Sequence, residues 1–122
     1  MAKLKTKPST RQVEELMAAK SAVLSKAQAF ATMGLSETAE PLWASAASHE
    51  ERIAAILDAR GENQEAAVHR ISAASCYQKA GDPSKATNLY RAALSGPLRE
   101  GTRKDIEEML AECLSILMKS VR

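Results

Sequence analysis

The sequence predicts an all-α protein, two long helical hairpins followed by a capping helix, and three observations carry that reading. Aromatic residues make up only 3% of the 122 residues while Ala, Leu, Glu, Lys and Arg abound, and sheets, unlike helices, draw on aromatic and β-branched side chains. Apolar residues recur at i, i+3 and i+4 along stretch after stretch, the spacing of one helix face. Each of the five glycines ends such a stretch or sits in a loop between two of them. A chain of this length suits one domain with a single core.

Residues 1–8, with Lys3, Lys5 and Lys7, are expected to form a flexible basic tail, since no apolar segment follows that would make them a leader. Residues 9–122 then form the helical domain, with hairpins over 9–60 and 62–95 and a capping helix over 102–121. The first helix runs from a cap at Ser9 or Thr10 to about Met33. Val13, Leu16, Met17, Lys20, Leu24, Ala27, Phe30 and Ala31 share one face, with Lys20 its only charged member, and Gly34 ends it. Ser36 followed by Glu37 suits an N-cap for the second helix, which carries Ala39, Leu42, Trp43, Ala46, Ile53, Ile56 and Leu57 toward Arg60. Pro41 is best placed near a first turn, which moves the expected start toward Glu40.

Gly61 stops the second helix, and the third spans about Gln64 to Ala80 with Ala67, Ile71, Ala74, Cys76 and Tyr77 on its apolar side. Gly81 is placed for the left-handed residue of a helix end, Asp82 for the N-cap and Pro83 for N1 of the fourth helix. That helix presents Ala86, Leu89, Tyr90, Ala93 and Leu94 before Gly96-Pro97. A polar connection through Arg99, Glu100 and Gly101 leads to a last helix capped by Thr102. Ile106, Met109, Leu110, Cys113, Leu114, Leu117, Met118 and Val121 cover a broad arc of it, wider than one flanking helix covers. The last helix is therefore expected to dock a partner or a second copy of the chain as well.

Shifting the sequence by 47 aligns Ala27 with Ala74, Gly34 with Gly81, Ala39 with Ala86, Leu42 with Leu89, Ala46 with Ala93 and Ser48 with Ser95. It also sets Phe30 on Tyr77 and Trp43 on Tyr90, and these four are the only aromatics in the chain. Paired helices at the usual spacing need small residues where backbones approach and a ring where they diverge. Each hairpin is expected to be filled by its own pair, Phe30 with Trp43 and Tyr77 with Tyr90.

The order Ala27, Phe30, Gly34, Ala39, Trp43, Ala46, repeated as Ala74, Tyr77, Gly81, Ala86, Tyr90, Ala93, resembles the tetratricopeptide repeat, a helix-turn-helix unit with a small residue, an aromatic and a glycine followed by alanine, aromatic and alanine. In addition, "CYQKAGD" is similar to hairpins of the soluble attachment proteins. The repeat of 47 is longer than the usual unit of about 34, and the family's early tryptophan and leucine are not kept. The resemblance covers about Ser21 to Pro97 and implies a tetratricopeptide-like α-α superhelix with the last helix as cap. In that family the first helices line a concave groove for a peptide or helix of another protein. The implied groove residues are Leu24, Ser25, Gln28 and Thr32, with Ser21 and Ala31 beside them, then Ile71, Ser72, Ser75, Gln78 and Lys79, with Val68 beside those. Only Lys79 matches the cations with which some relatives hold a C-terminal carboxylate.

Nothing in the sequence points to catalysis. His49-Glu50 opens like a zinc-protease motif, but Ile53 stands where the second histidine belongs. His69 and Cys76 share a face without a third ligand, so no metal and no cofactor are expected. Glu50-Glu51 and Glu107-Glu108 resemble exposed charge. Cys76 and Cys113 lie on apolar stripes, where cysteine behaves as a small hydrophobe, and a reducing cytoplasm is the expected compartment. No apolar run approaches a membrane span. The net charge of +2 owes much to the lysine tail and does not demand a nucleic acid. The expected function is a non-catalytic protein–protein interaction module, an adaptor or scaffold. The alternatives are an RNA-binding helical-hairpin protein and a self-associating structural bundle.

Overall fold

Five helices account for nearly all of residues 8–120, the part of the chain that the structure, a computed structural model, describes. They are α1 (Pro8–Thr32), α2 (Ser36–Ala59), α3 (Asn63–Lys79), α4 (Pro83–Leu94) and α5 (Glu100–Lys119). The all-α architecture of two hairpins and a final helix holds. The expected tail lies outside the described residues except for Pro8, which opens α1, and so does Val121 of the expected apolar arc.

Three of the four connections are one repeated corner. Gly34, Gly61 and Gly81 take φ of 80°, 79° and 80°, a left-handed conformation that costs a residue with a Cβ roughly 1–2 kcal/mol. At the first corner the Gly34 N–H donates to Ala31 O at 3.0 Å and the Leu35 N–H to Phe30 O at 2.9 Å, the paired bonds of a Schellman end. Glu62 repeats this on Leu57 O at 2.9 Å, and Asp82 on Tyr77 O at 2.9 Å. The same three residues begin the next helices: Leu35, Glu62 and Asp82 accept at their carbonyls from Ala39, Ala66 and Ala86. Those three alanines are fully buried, because a corner this tight brings the new helix onto the old one within its first turn.

The second corner has no counterpart in the shift of 47; its signal is Gly followed five residues later by Ala, shared by all three. The first corner corrects the expected start of α2. Leu35, not Ser36, is the N-cap, and Pro41 lies inside the helix. The Ala39–Leu35 bond of 3.0 Å closes the first turn upstream of the proline. The N–H that Pro41 lacks would have met Glu37, and both residues are exposed to water. At the third corner Asp82 caps as expected, its Oδ1 accepting from the Lys85 N–H at 3.1 Å.

The fourth connection differs. Arg99 precedes α5, Gly101 is helical, and the expected Thr102 cap is instead inside the helix. Arg103 Nη1 donates to Leu94 O at 2.7 Å and Nη2 to Gly96 O at 3.1 Å. A cation thus satisfies the free carbonyls at the end of α4 and ties α5 to it.

Helices pack on their neighbours in the chain: α1 on α2, α2 on α3, α3 on α4 and α4 on α5. One apolar core runs through all five, from Ala27 through Trp43, Ala74, Tyr77, Ala86 and Tyr90 to Ile106 and Cys113. A smaller cluster of Leu16, Ile53, Ala54, Leu57 and Ala66 closes the far end of the first hairpin. Residues matched by the shift of 47 share their environment, since Ala27 and Ala74, Ala39 and Ala86, and Ala46 and Ala93 are all at 0% exposure.

All four rings belong to this core, and two of them reach beyond their own hairpins. Trp43, Tyr77 and Tyr90 are buried, whereas Phe30 is only partly so. The Tyr77 hydroxyl reaches back to α2, donating to Glu51 Oε2 at 2.5 Å, and Lys79 of α3 lies 4.7 Å from the centroid of Trp43. Trp43 and Tyr77 therefore also join the two hairpins, while Lys85 of α4 lies 5.2 Å from the Tyr77 centroid within the second hairpin. With Tyr90 at 1% exposure, Tyr90→Ala is expected to cost about 3–5 kcal/mol in a urea melt, and a loss below ~1 kcal/mol would contradict its packing role.

Candidate functional site

Two places on the molecule gather polar chemistry or open space: a buried charge cluster where α1, α2 and α3 meet, and a cleft between α3 and the start of α5. The first grows from the odd member of the α1 stripe. Lys20 Nζ lies 3.4 Å from Glu50 Oε2, and His69 Nδ1 lies 2.6 Å from Glu50 Oε1. The Glu50 side chain is only 4% exposed, so the expectation that Glu50-Glu51 is surface charge is corrected. Glu50 is a buried carboxylate held by groups on both neighbouring helices, and half-buried Glu51 is the acceptor for Tyr77.

Cys76 faces the same cluster. Burial pushes its thiol up, the Glu50 charge adds to this, and Lys79 and Lys20 partly offset both. Burial and then the Glu112 charge push the Cys113 thiol up, partly offset by the Thr87 hydroxyl. Thiols shifted upward are poor nucleophiles at neutral pH. Among the described residues no group of three or more His, Cys, Asp or Glu is arranged to hold a metal ion. The cluster therefore reads as an internal clamp, in which an acid on α2 is satisfied by a lysine from α1 and an imidazole from α3.

Around it run further links between helices. Arg70 pairs with Asp58 across the second corner, and Asn63 Nδ2 donates to Asp58 Oδ1 at 2.8 Å. Tyr90 donates to Gln78 Oε1 at 2.5 Å, and burial, then Cys113 and Glu112, push its phenol up to about 12.

The cleft has a volume of about 460 Å³ and is lined by Val68 and Ile71 of α3, by Pro97 and Leu98, and at its rim by Gln64, Glu65, Arg99 and Thr102. Val68 is 57% exposed. The floor is apolar, the rim carries both signs of charge, and the cleft continues past Pro97 toward the Gly61 corner.

Of the groove face implied by the sequence, Val68 and Ile71 line this cleft. Ser72 and Ser75 are half-buried farther along α3, and Leu24 is partly buried against the core. Ser25, Gln28 and Thr32 are exposed on α1. Gln78 and Lys79 are engaged inside the molecule, by the Tyr90 hydroxyl and the Trp43 ring. Pro97, Leu98, Arg99 and Thr102 have no place in the implied groove, because their proximity to α3 depends on how α5 folds back.

No family model, curated protein or solved structure matches the chain. No helix among the described residues is long and apolar enough to cross a membrane.

Two outcomes follow from the buried polar groups. Glu50→Ala leaves Lys20 and His69 without their shared partner and is expected to destabilise by about 3 kcal/mol, while replacing all three by apolar residues of similar volume costs far less. Chemical denaturation of the single and triple variants checks this, and equal losses would count against a clamp. At high pH an unfolded tyrosine ionises near pH 10, while folded Tyr90 keeps its proton to about 12. Its contribution is thus whole below pH 10 and is lost between 10 and 12. Melting temperatures measured across that window should fall less steeply for Tyr90→Phe than for the parent chain.

Proposed function

We propose that the chain is a non-catalytic protein-interaction module, a short superhelix of tetratricopeptide-like hairpins that holds a peptide or helix of another protein between α3 and α5. The single observation that carries this is the cleft over Val68 and Ile71: an apolar floor open to solvent and rimmed by Gln64, Glu65, Arg99 and Thr102. A half-enclosed apolar surface with few polar groups at its edge suits a short segment with one or two apolar anchors. The rim offers hydrogen bonds to an extended backbone.

The stacking of each helix on its chain neighbours supports an open superhelix rather than a closed bundle. So does the duplication of Ala27, Gly34, Ala39 and Ala46 in sequence and in environment. The assignment as an adaptor or scaffold rests on the absence, in this reading, of any need for a reactive group: the titratable residues brought together at Glu50 satisfy one another. Two free, buried cysteines suit a reducing, cytoplasmic setting.

Val68→Asp places a carboxylate on the cleft floor at an exposed position and should leave the helix content unchanged. Partner recovery in a pull-down is expected to fall about tenfold, the effect of roughly 1.4 kcal/mol of lost binding. Gln28→Ala, on α1, should leave recovery unchanged. Recovery that survives Val68→Asp but collapses steeply with added salt would favour the RNA-binding alternative instead.

A further inference from the structure

α5 stands to α4 as α3 stands to α2, and this equivalence exposes a missing neighbour. On α3, Ala66 and Ala73 are buried, and His69, Arg70 and Tyr77 on the same side bond to α2. Forty residues on, Ile106 and Cys113 are the buried pair of α5, against α4. On α3 the next face round carries Ala67, Ala74 and Gln78 and is covered by α4, whose Tyr90 bonds Gln78. Its counterparts on α5 are the exposed Glu107, then Leu114 and Met118, with Ala111 on the same side, and no helix among the described residues packs on this stretch. Met118 is 72% exposed, Ala111 is exposed and Leu114 is half-buried. A shallow depression of about 500 Å³ runs along this face, lined by Ala111, Leu114, Ser115, Met118 and Lys119.

We propose that this face binds the α5 of a second copy of the chain, antiparallel, in the position that α4 occupies on α3. The charges beside the face select that occupant. At about 100° per residue, Glu108, Glu112 and Lys119 fall on one flank, the side away from α4, and none of them has an ion-pair partner among the described residues. In a two-fold antiparallel pair centred on Leu114 and Ser115, Lys119 of each copy falls opposite the step between Glu108 and Glu112 of the other. The contact is isologous, so each such pairing occurs twice. A parallel two-fold arrangement would set this flank against the Leu110 and Leu117 side of the other copy and leave the three charges unpaired. The face shares no lining residue with the cleft over Val68, so the two surfaces can be tested separately.

Sedimentation velocity of the full chain over a concentration series tests the proposal. The parent chain is expected to pass from monomer to dimer as concentration rises. Met118→Glu, at a position too exposed to affect folding, should abolish the dimer. Lys119→Glu should weaken it at least about tenfold, the consequence of exchanging two attractions for two repulsions. The triple variant Glu108→Lys, Glu112→Lys, Lys119→Glu restores the complementarity with signs reversed and should recover the dimer. A parent chain that is monomeric at the highest soluble concentration overturns the proposal, as does a dimer that survives Met118→Glu. Failure of the triple variant to recover association overturns the antiparallel register.

Discussion

The structure depends first on the corner built at Gly34, Gly61 and Gly81. In each, one residue after the glycine closes the outgoing helix with its N–H and opens the incoming one with its carbonyl. No residues remain for a loop, so the exit direction of one helix fixes the entry of the next. The left-handed glycine makes this reversal possible at low backbone cost, and the alanine five positions later lets the two helices approach. Neither element works alone: a larger residue at Ala39, Ala66 or Ala86 would be driven into the preceding helix, and a Cβ at the glycine would strain the turn.

Short corners have a consequence for burial. Helices that reverse so tightly lie against their chain neighbours and reach little else, and an open stack leaves both ends without a partner. The first hairpin answers this with a clamp. Glu50 on α2 collects a lysine from α1 and a histidine from α3, holding three successive helices at one point. Buried charge is costly to desolvate, and its return here is geometric: only one sliding register of α1, α2 and α3 satisfies both carboxylate oxygens. Alanine-rich surfaces, which slide easily because they lack large knobs, benefit most from such a fixed point.

Much of this is legible in sequence, and the reasons for the rest are physical. The corner at Gly81 could be read residue by residue, because Gly, Asp and Pro each have a single preferred place in such a turn. The corner at Gly61 is equally regular, yet Glu62 and Asn63 have no such preference and only the spacing to Ala66 reveals it. Lys20 was visible as a charge in an apolar stripe; its partner Glu50 was not, since it lies 30 residues away on another helix. Gly101 and Thr102 mislead for a different reason. A glycine in a first turn costs little when Arg103 secures the preceding carbonyls, and that bond is a tertiary event. The contacts of Gln78 with Tyr90 and of Lys79 with Trp43 were hidden in the same way, because each joins residues of different helices.

These constraints also explain why the proposed binding surfaces lie on α3 and α5. α2 and α4 are covered on two sides by helices fixed to them through corners or, at α5, through Arg103. α1 is held by its clamp. α3 gives one side to α2 and one to α4, leaving the strip from Gln64 through Val68 toward Ser75, and the chain returns over that strip at Pro97 and Leu98 to make a cleft. α5, with no successor among the described residues, keeps the face that every earlier helix has filled. In the proposed pairing, a second α5 takes the place that the next helix of the stack takes on α3, and the flank charges at Glu108, Glu112 and Lys119 set the direction in which it runs.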